Sequence, residues 1–171
     1  MLISERNFLE RLASHIPGIA GYREREGRRE TDRRLREWMA GRLDEAVAGL
    51  DPVRNRLTRE GRLDVMNAVA ELDRTLQKTA AALRFADAGY GGLFDQVKVK
   101  EDELAAMYAF DLSLTESVEG LGTRLRALAA VADPAPALEA LVSEARMLDH
   151  LVGRRRELFE KPEPAGPGRG E

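Results

Sequence analysis

The 171-residue chain contains no cysteine. That excludes disulfides, thiolate metal sites, iron–sulfur clusters and cysteine nucleophiles. Histidine is almost as scarce: His15 and His150 are the only two, which leaves little room for a zinc or haem site. Aromatic residues make up 5%. Isoleucine (3), valine (10) and threonine (6) are far outnumbered by alanine (24) and leucine (23), an imbalance that favours helix over pleated sheet. No apolar run approaches the ~20 residues of a membrane span, and no signal peptide is visible. A large excess of either charge is missing too. The chain has 27 basic and 30 acidic residues, a net charge of −3, so no global field announces nucleic acid. What remains is 43% hydrophobic and 33% charged, more charged than the ~25% of an average chain. This composition predicts a cytoplasmic helical domain, and the length suits one domain of ~150 residues with a short tail.

Ser4 can cap a short helix to about His15, with Leu9, Leu12 and Ile16 along one side, before Pro17 and Gly18 interrupt it. A second helix should run from about Gly21 or Tyr22 to Ala48. Its later half carries the stripe Leu35, Met39, Leu43, Val47 and Leu50, with Trp38 beside it. Asp51-Pro52 has the chemistry of an N-cap followed by a first-turn proline, yet Leu50, Val53 and Leu57 continue the stripe, so a kink or a break fits, and a break with a short helix over 52–60 is favoured. Gly61 reads as a left-handed cap that ends it.

From 63 to 88 the residues Val65, Val69, Leu72, Leu76, Thr79, Leu83, Ala86 and Tyr90 alternate at spacings of four and three. That is a heptad seam, suited to near-parallel helix packing. Gly89, Gly91 and Gly92 predict a loop, and Val97 and Val99 a brief extended stretch. Glu101 to Glu103 open a further helix whose stripe is Met107, Phe110, Leu114, Val118, Leu121, Leu125 and Leu128. Asp133-Pro134 turns the chain into a last helix, about 135–160, with Leu138, Leu141, Ala145, Leu148, Val152 and Phe159 in register. The expected architecture is all-α: an antiparallel up-down four-helix bundle with long helices and a short N-terminal helix. Residues 1–160 form one domain, and the Pro/Gly-rich segment 161–171 a disordered tail.

Motifs that carry chemistry are mostly missing. A dimetal bundle needs Glu-x-x-His, but Leu12 and Met147 stand three residues before the two histidines. No Gly-Lys pair supports a phosphate loop, and His-Glu-x-x-His and Gly-x-Ser-x-Gly do not occur. Asp111 is the most interesting carboxylate, because it flanks an apolar stripe with Tyr108 and Thr115 at helical spacing. Once buried it would need an Arg or Tyr partner from a neighbouring helix. No enzymatic activity, cofactor or metal site is expected.

Two surfaces invite partners. Segment 23–36 holds seven arginines and four acids. It reads either as a solvated face with i,i+4 pairs such as Glu30–Arg34 and Asp32–Arg36, or as an anionic-surface site of Arg23, Arg25, Arg28, Arg29, Arg33 and Arg36. Leu2, Ile3, Phe8, Leu9, Leu12 and Ile16 just before it form an apolar face that either caps the bundle or lies in a lipid headgroup layer. Nucleic acid is disfavoured, since no aromatics interleave with these arginines. The second surface is Gly89–Asp95, where Tyr90, Leu93, Phe94 and Asp95 occupy a connection longer than a plain turn needs. These residues either plug the bundle end or dock another subunit or protein.

The segment from His15 to Tyr22, with the charged run Glu26 to Asp32, forms one distinctive stretch. Arg84 to Val99, completed by Leu104, Tyr108, Phe110 and Asp111, forms another. On these segments, over about residues 8–120, the chain resembles a group of uncharacterised bacterial and archaeal helical proteins. The resemblance implies an association with stomatin/prohibitin-type membrane scaffolds and no particular activity or functional residue. The expected function is therefore a non-enzymatic, self-associating interaction or scaffold module. Its rival is a peripheral membrane adaptor built on the N-terminal helix and the arginines behind it.

Overall fold

A computed structural model describes residues 10, 11, 14–16, 25–86 and 101–159. Among them the backbone forms α1 (Arg25–Ala48), α2 (Leu50–Arg59), α3 (Met66–Phe85), α4 (Glu101–Leu128) and α5 (Ala135–Phe159). A single 3₁₀ turn, Leu63–Val65, leads into α3. No strand occurs among the described residues, so the fold is all-α with four long helices. The expected loop at 89–95, the extended stretch at 97–99 and the tail 161–171 lie outside the described residues. The N-terminal helix is described only at Glu10, Arg11, Ser14 and His15, all helical.

In the heptad seam read from the sequence, Val65, Val69, Leu72, Leu76, Thr79 and Leu83 are all buried, Ala86 is half-buried and Tyr90 lies outside the described residues. Leu35, Met39, Leu43 and Leu50 meet it from the α1–α2 side, and Leu138, Leu141, Ala145, Leu148 and Val152 from α5. A fully buried leucine or valine contributes roughly 1.5–3 kcal/mol, so this single core supplies the main stabilisation. On α4 the inward row is shifted from the expected one. Phe110 is only half-buried, whereas Tyr108, Asp111, Leu112 and Thr115 are buried. The row 107, 111, 114, 118, 121, 125, 128 keeps strict four-three spacing, and Asp111 occupies the place assigned to Phe110.

Each long helix packs on two others. α1 lies against α3 and α4, and α5 lies against the same two. The order around the core is therefore α1, α3, α5, α4, which sets α3 and α4 at opposite corners although they follow one another in the chain. Short connections predict spatial neighbours, and this pair departs from that rule because residues 87–100 are long enough to cross. At ~3.3 Å per residue they reach roughly 45 Å. The diagonal between helices ~10 Å apart is only about 14 Å.

The break near Asp51-Pro52 falls two residues earlier than expected. Pro52 has no N–H for the Ala48 carbonyl, and its ring crowds that oxygen. The interruption therefore sits at Gly49, which keeps right-handed geometry (φ −65°, ψ −14°) and bonds back to Glu45 at 3.0 Å. Asp51 thus lies inside the first turn of α2 and is not its cap. A Cβ at Gly49 would meet Leu125 Cδ2 of α4 at 3.2 Å, so glycine allows α4 its close approach. Val53 and Leu57 then continue the apolar stripe.

Gly61 ends α2 as expected, at φ +68°. The Arg62 N–H bonds the Leu57 carbonyl at 2.9 Å and the Gly61 N–H bonds Thr58 at 3.2 Å, which is the Schellman pattern. A Cβ there would meet nothing within 4 Å, so only backbone strain opposes a side chain. Gly61→Ala is expected to lose about 1 kcal/mol and Gly61→Asn less, as read by urea denaturation.

Candidate functional site

Four buried charged side chains lie together where the first turns of α1 meet the last turns of α3 and α5. Arg155 of α5 is 1% exposed, Asp111 of α4 is fully buried and Asp32 of α1 is 3% exposed. Arg155 donates from Nε to Asp111 Oδ1 at 2.6 Å and from Nη2 to Asp111 Oδ2 at 2.9 Å, a two-pronged pair. The same Nη2 donates to Asp32 Oδ1 at 2.6 Å. Asp32 Oδ2 accepts from Arg36 Nε at 2.9 Å, one helical turn further along α1. Arg36 then donates from Nη1 to the carbonyls of Leu83 and Ala86 at 3.0 and 2.9 Å, where α3 ends. Two carboxylates and two guanidiniums form one neutral network touching all four long helices.

Helical register explains how these residues come inward. Arg155 fills the seam position between Val152 and Phe159, three residues after the one and four before the other. Asp32 precedes Leu35 by three and so extends the α1 stripe backward by one turn. Thr115, at the next turn after Asp111, returns its hydroxyl to the Asp111 carbonyl at 2.8 Å, leaving the carboxylate to Arg155. Burial pushes the Asp111 carboxyl above its ordinary range, and the nearby Asp32 charge adds to that. Arg155 and Arg36 pull the other way. A carboxyl raised in the fold adds stability that is complete below its unfolded value of ~3.9 and is lost as pH rises through the raised value. Asp111 therefore does not drive acid unfolding.

The sequence marks Asp111 as a carboxylate needing an arginine from another helix, and Arg155 is that arginine. Arg155 itself, Asp32 and the inward role of Arg36 are missed by the sequence reading. The usable signal is position: a charged residue on a heptad row must find its opposite inside. The Asp32–Arg36 pair forms, but it is buried where a solvated face is expected. Arg36 is accordingly removed from the anionic-surface set, since at 8% exposure it faces the α3 terminus and not solvent. Arg33 is exposed and held by Glu30 at 2.8 Å and Glu37 at 3.6 Å, while Arg34 holds Glu30 at 2.6 Å. These two arginines keep the Glu30 carboxyl below its usual range, so this stretch is charge-balanced. Arg25, Arg28 and Arg29 are described in backbone alone. Arg23, Tyr90, Leu93, Phe94 and Asp95 lie outside the described residues.

The apolar face read for residues 2–16 loses one member, because Ile16 is 4% exposed and belongs to the core. His15 pairs with Glu119, and His150 is exposed on α5. Among the described residues no group of three His, Cys, Asp or Glu is placed to hold a metal ion. No helix among them is long and apolar enough to cross a membrane. The Asp–Arg network joins helices, and each of its four charges already faces an opposite one.

Removing one partner of a buried pair leaves an uncompensated charge, at about 3–5 kcal/mol. Arg155→Met should therefore unfold at markedly lower urea concentration at pH 7. Without Arg155, burial and the nearby Asp32 charge act on the Asp111 carboxyl with less to oppose them, and its protonation relieves the strain. The deficit relative to the unsubstituted protein should shrink as pH falls from 7 towards 4, and a deficit independent of pH would contradict this account. Adding Asp111→Asn to Arg155→Met should recover part of the loss at pH 7.

No protein-family model, curated protein or solved structure matches the chain.

Proposed function

We propose that the chain is a non-enzymatic helical interaction module that self-associates through the end of the bundle where α3 departs towards α4. The observation that carries this reading is Phe85. It is the last residue of α3 and is 76% exposed, although it follows a seam buried along its whole length. A large aromatic left in water beside a connection bearing Tyr90, Leu93 and Phe94 is the composition of a docking patch, in which aromatic anchors carry most of the binding energy. The neutral Asp–Arg network behind it suits a rigid platform.

An antiparallel up-down course of the helices belongs to the same reading. Nested pairs support it. Arg36 meets Ala86 while Arg54 meets Asp73, and Asp111 meets Arg155 while Arg124 meets Glu144. With that course the Asp–Arg network and Phe85 share one end. A second copy, or another protein, would cover that end.

The test is sedimentation velocity across a wide concentration range. The unsubstituted chain should show reversible association. Phe85→Ser and the pair Leu93→Ser/Phe94→Ser should each weaken it about tenfold or more, with thermal midpoints little changed at the exposed Phe85. A strict monomer at millimolar concentration would reject self-association. A monomer destabilised by Leu93→Ser/Phe94→Ser would show that these side chains cover their own bundle.

A further inference from the structure

Helices in the order α1, α3, α5, α4 around a core share four seams, and exposed opposite charges span three of them. Arg84 meets Asp44 between α3 and α1. Lys78 meets Asp149 and Arg146 meets Glu71 between α3 and α5, and Arg124 meets Glu144 between α4 and α5. The fourth seam, between α1 and α4, differs. There Arg42 of α1 and Arg126 of α4 line one groove of about 210 Å³, whose wall Val118, Glu119, Gly122 and Thr123 complete.

The α4 row at this seam is Glu116, Glu119, Thr123 and Arg126, at three-four-three spacing. Its two acids are already taken, Glu116 by Arg11 and Glu119 by His15. Arg126 is left with a hydroxyl. Its Nη2 donates to Thr123 Oγ1 at 3.0 Å, and it pairs with no carboxylate among the described residues. Thr123 gives its own hydrogen to the Glu119 carbonyl at 3.0 Å, so it faces Arg126 as an acceptor and positions that guanidinium. A Cβ on Gly122 would lie 3.6 Å from Arg126 Nη1, so glycine keeps the floor beneath it open. Across the groove Arg42 holds Glu45 through Nη1 at 2.9 Å and stacks over Trp38 at 5.3 Å. Its Nε and Nη2 bond no described residue.

We propose that this groove is an anion site that binds a phosphoryl group between Arg42 and Arg126. Two guanidiniums brought to one cleft repel each other, and an anion between them turns that repulsion into attraction. The oxygens of a phosphoryl group spread tetrahedrally, so they accept from forks arriving from two walls at once. The two oxygens of a carboxylate lie in one plane and suit a single fork. At ~30 Å³ per liquid water, the groove has room for about seven waters, enough for a phosphoryl group and far more than a halide ion fills. The one carboxylate on its wall, Glu119, is turned to His15 Nε2 at 2.9 Å. Phe85 does not line the groove, so this site stands apart from self-association.

The chain supplies its own probe, because Trp38 is the single tryptophan and Arg42 lies over its ring. Pyrophosphate, titrated against sodium chloride at constant ionic strength, should change Trp38 emission saturably as it draws Arg42 from the ring. Calorimetric titration gives the affinity. Arg126→Gln should weaken it about tenfold and leave the thermal midpoint unchanged. Arg42→Gln should weaken it by a similar factor, read by calorimetry because the cation beside Trp38 is gone. Arg146→Gln makes the same charge change at the α3–α5 seam and should leave the affinity as it was. Co-sedimentation with phosphatidylcholine vesicles containing phosphatidic acid separates a lipid phosphate from a free one. Retention that Arg126→Gln abolishes assigns a headgroup, and pyrophosphate binding without retention assigns a soluble phosphate compound. Neither a saturable response nor Arg126-dependent retention would overturn the proposal. So would binding that Arg146→Gln weakens as much as Arg126→Gln, which would mean an adventitious ion only.

Discussion

Arg155 is a guanidinium at 1% exposure in the middle of a helical core, and a charge so placed must be answered by opposite charge and hydrogen bonds. Everything at that end of the molecule follows from this requirement. Asp111 answers it from α4 with both oxygens, and Asp32 answers it across the core from α1. Asp32 in turn needs Arg36, whose Nη1 donates to two carbonyls at the end of α3. Arg36 thus serves two ends: it compensates Asp32 and satisfies carbonyls that the last turn of a helix leaves without intrahelical donors.

Such a network does more for register than for net stability. Apolar heptad rows can slide past one another by one repeat and still bury leucine against leucine. A row that carries Arg155 cannot, since sliding would place it against an aliphatic layer and leave two aspartates unpaired. Polar residues at seam positions commonly fix register in this way, at some loss of stability. The rest of the core can therefore be plain: leucine, valine, methionine and alanine, close-packed along α1, α3, α4 and α5.

Ionic contacts beyond the core reinforce the same arrangement. Lys78 reaches Asp149 at 2.7 Å, which also accepts from the buried Thr79 hydroxyl at 3.2 Å. At the opposite end Arg56 donates to the Ala129 carbonyl at 2.6 Å, and Arg62 bridges Asp64 and Asp133, each at 3.1 Å. Contacts of this kind, screened by water, add little to stability. Arg56 and Arg62 hold the end of α2 and the turn after it against the turn between α4 and α5. The arginine-rich start of α1 is similar, because its described charges find acids one turn away.

Local chemistry was enough to determine much of this protein. The scarcity of β-branched residues, the four-three spacing of Val65 to Leu83, the glycine at position 61 and the proline at 134 are all properties of short segments. Each forms the element its composition dictates, because helix propensity, periodicity and caps act within a turn or two. The need of Asp111 for a partner was legible for the same reason, since its place beside an apolar row implies burial. What the tertiary structure alone decided was which residues meet. Spacing could not say that Arg155, 44 positions from Asp111, would be the partner. Nor could it say that the Asp32–Arg36 pair would turn inward, or that α3 and α4 would take opposite corners. Those outcomes depend on the order of helices around the core. That order is set by many weak contacts acting together and by a single charge whose burial allows few alternatives.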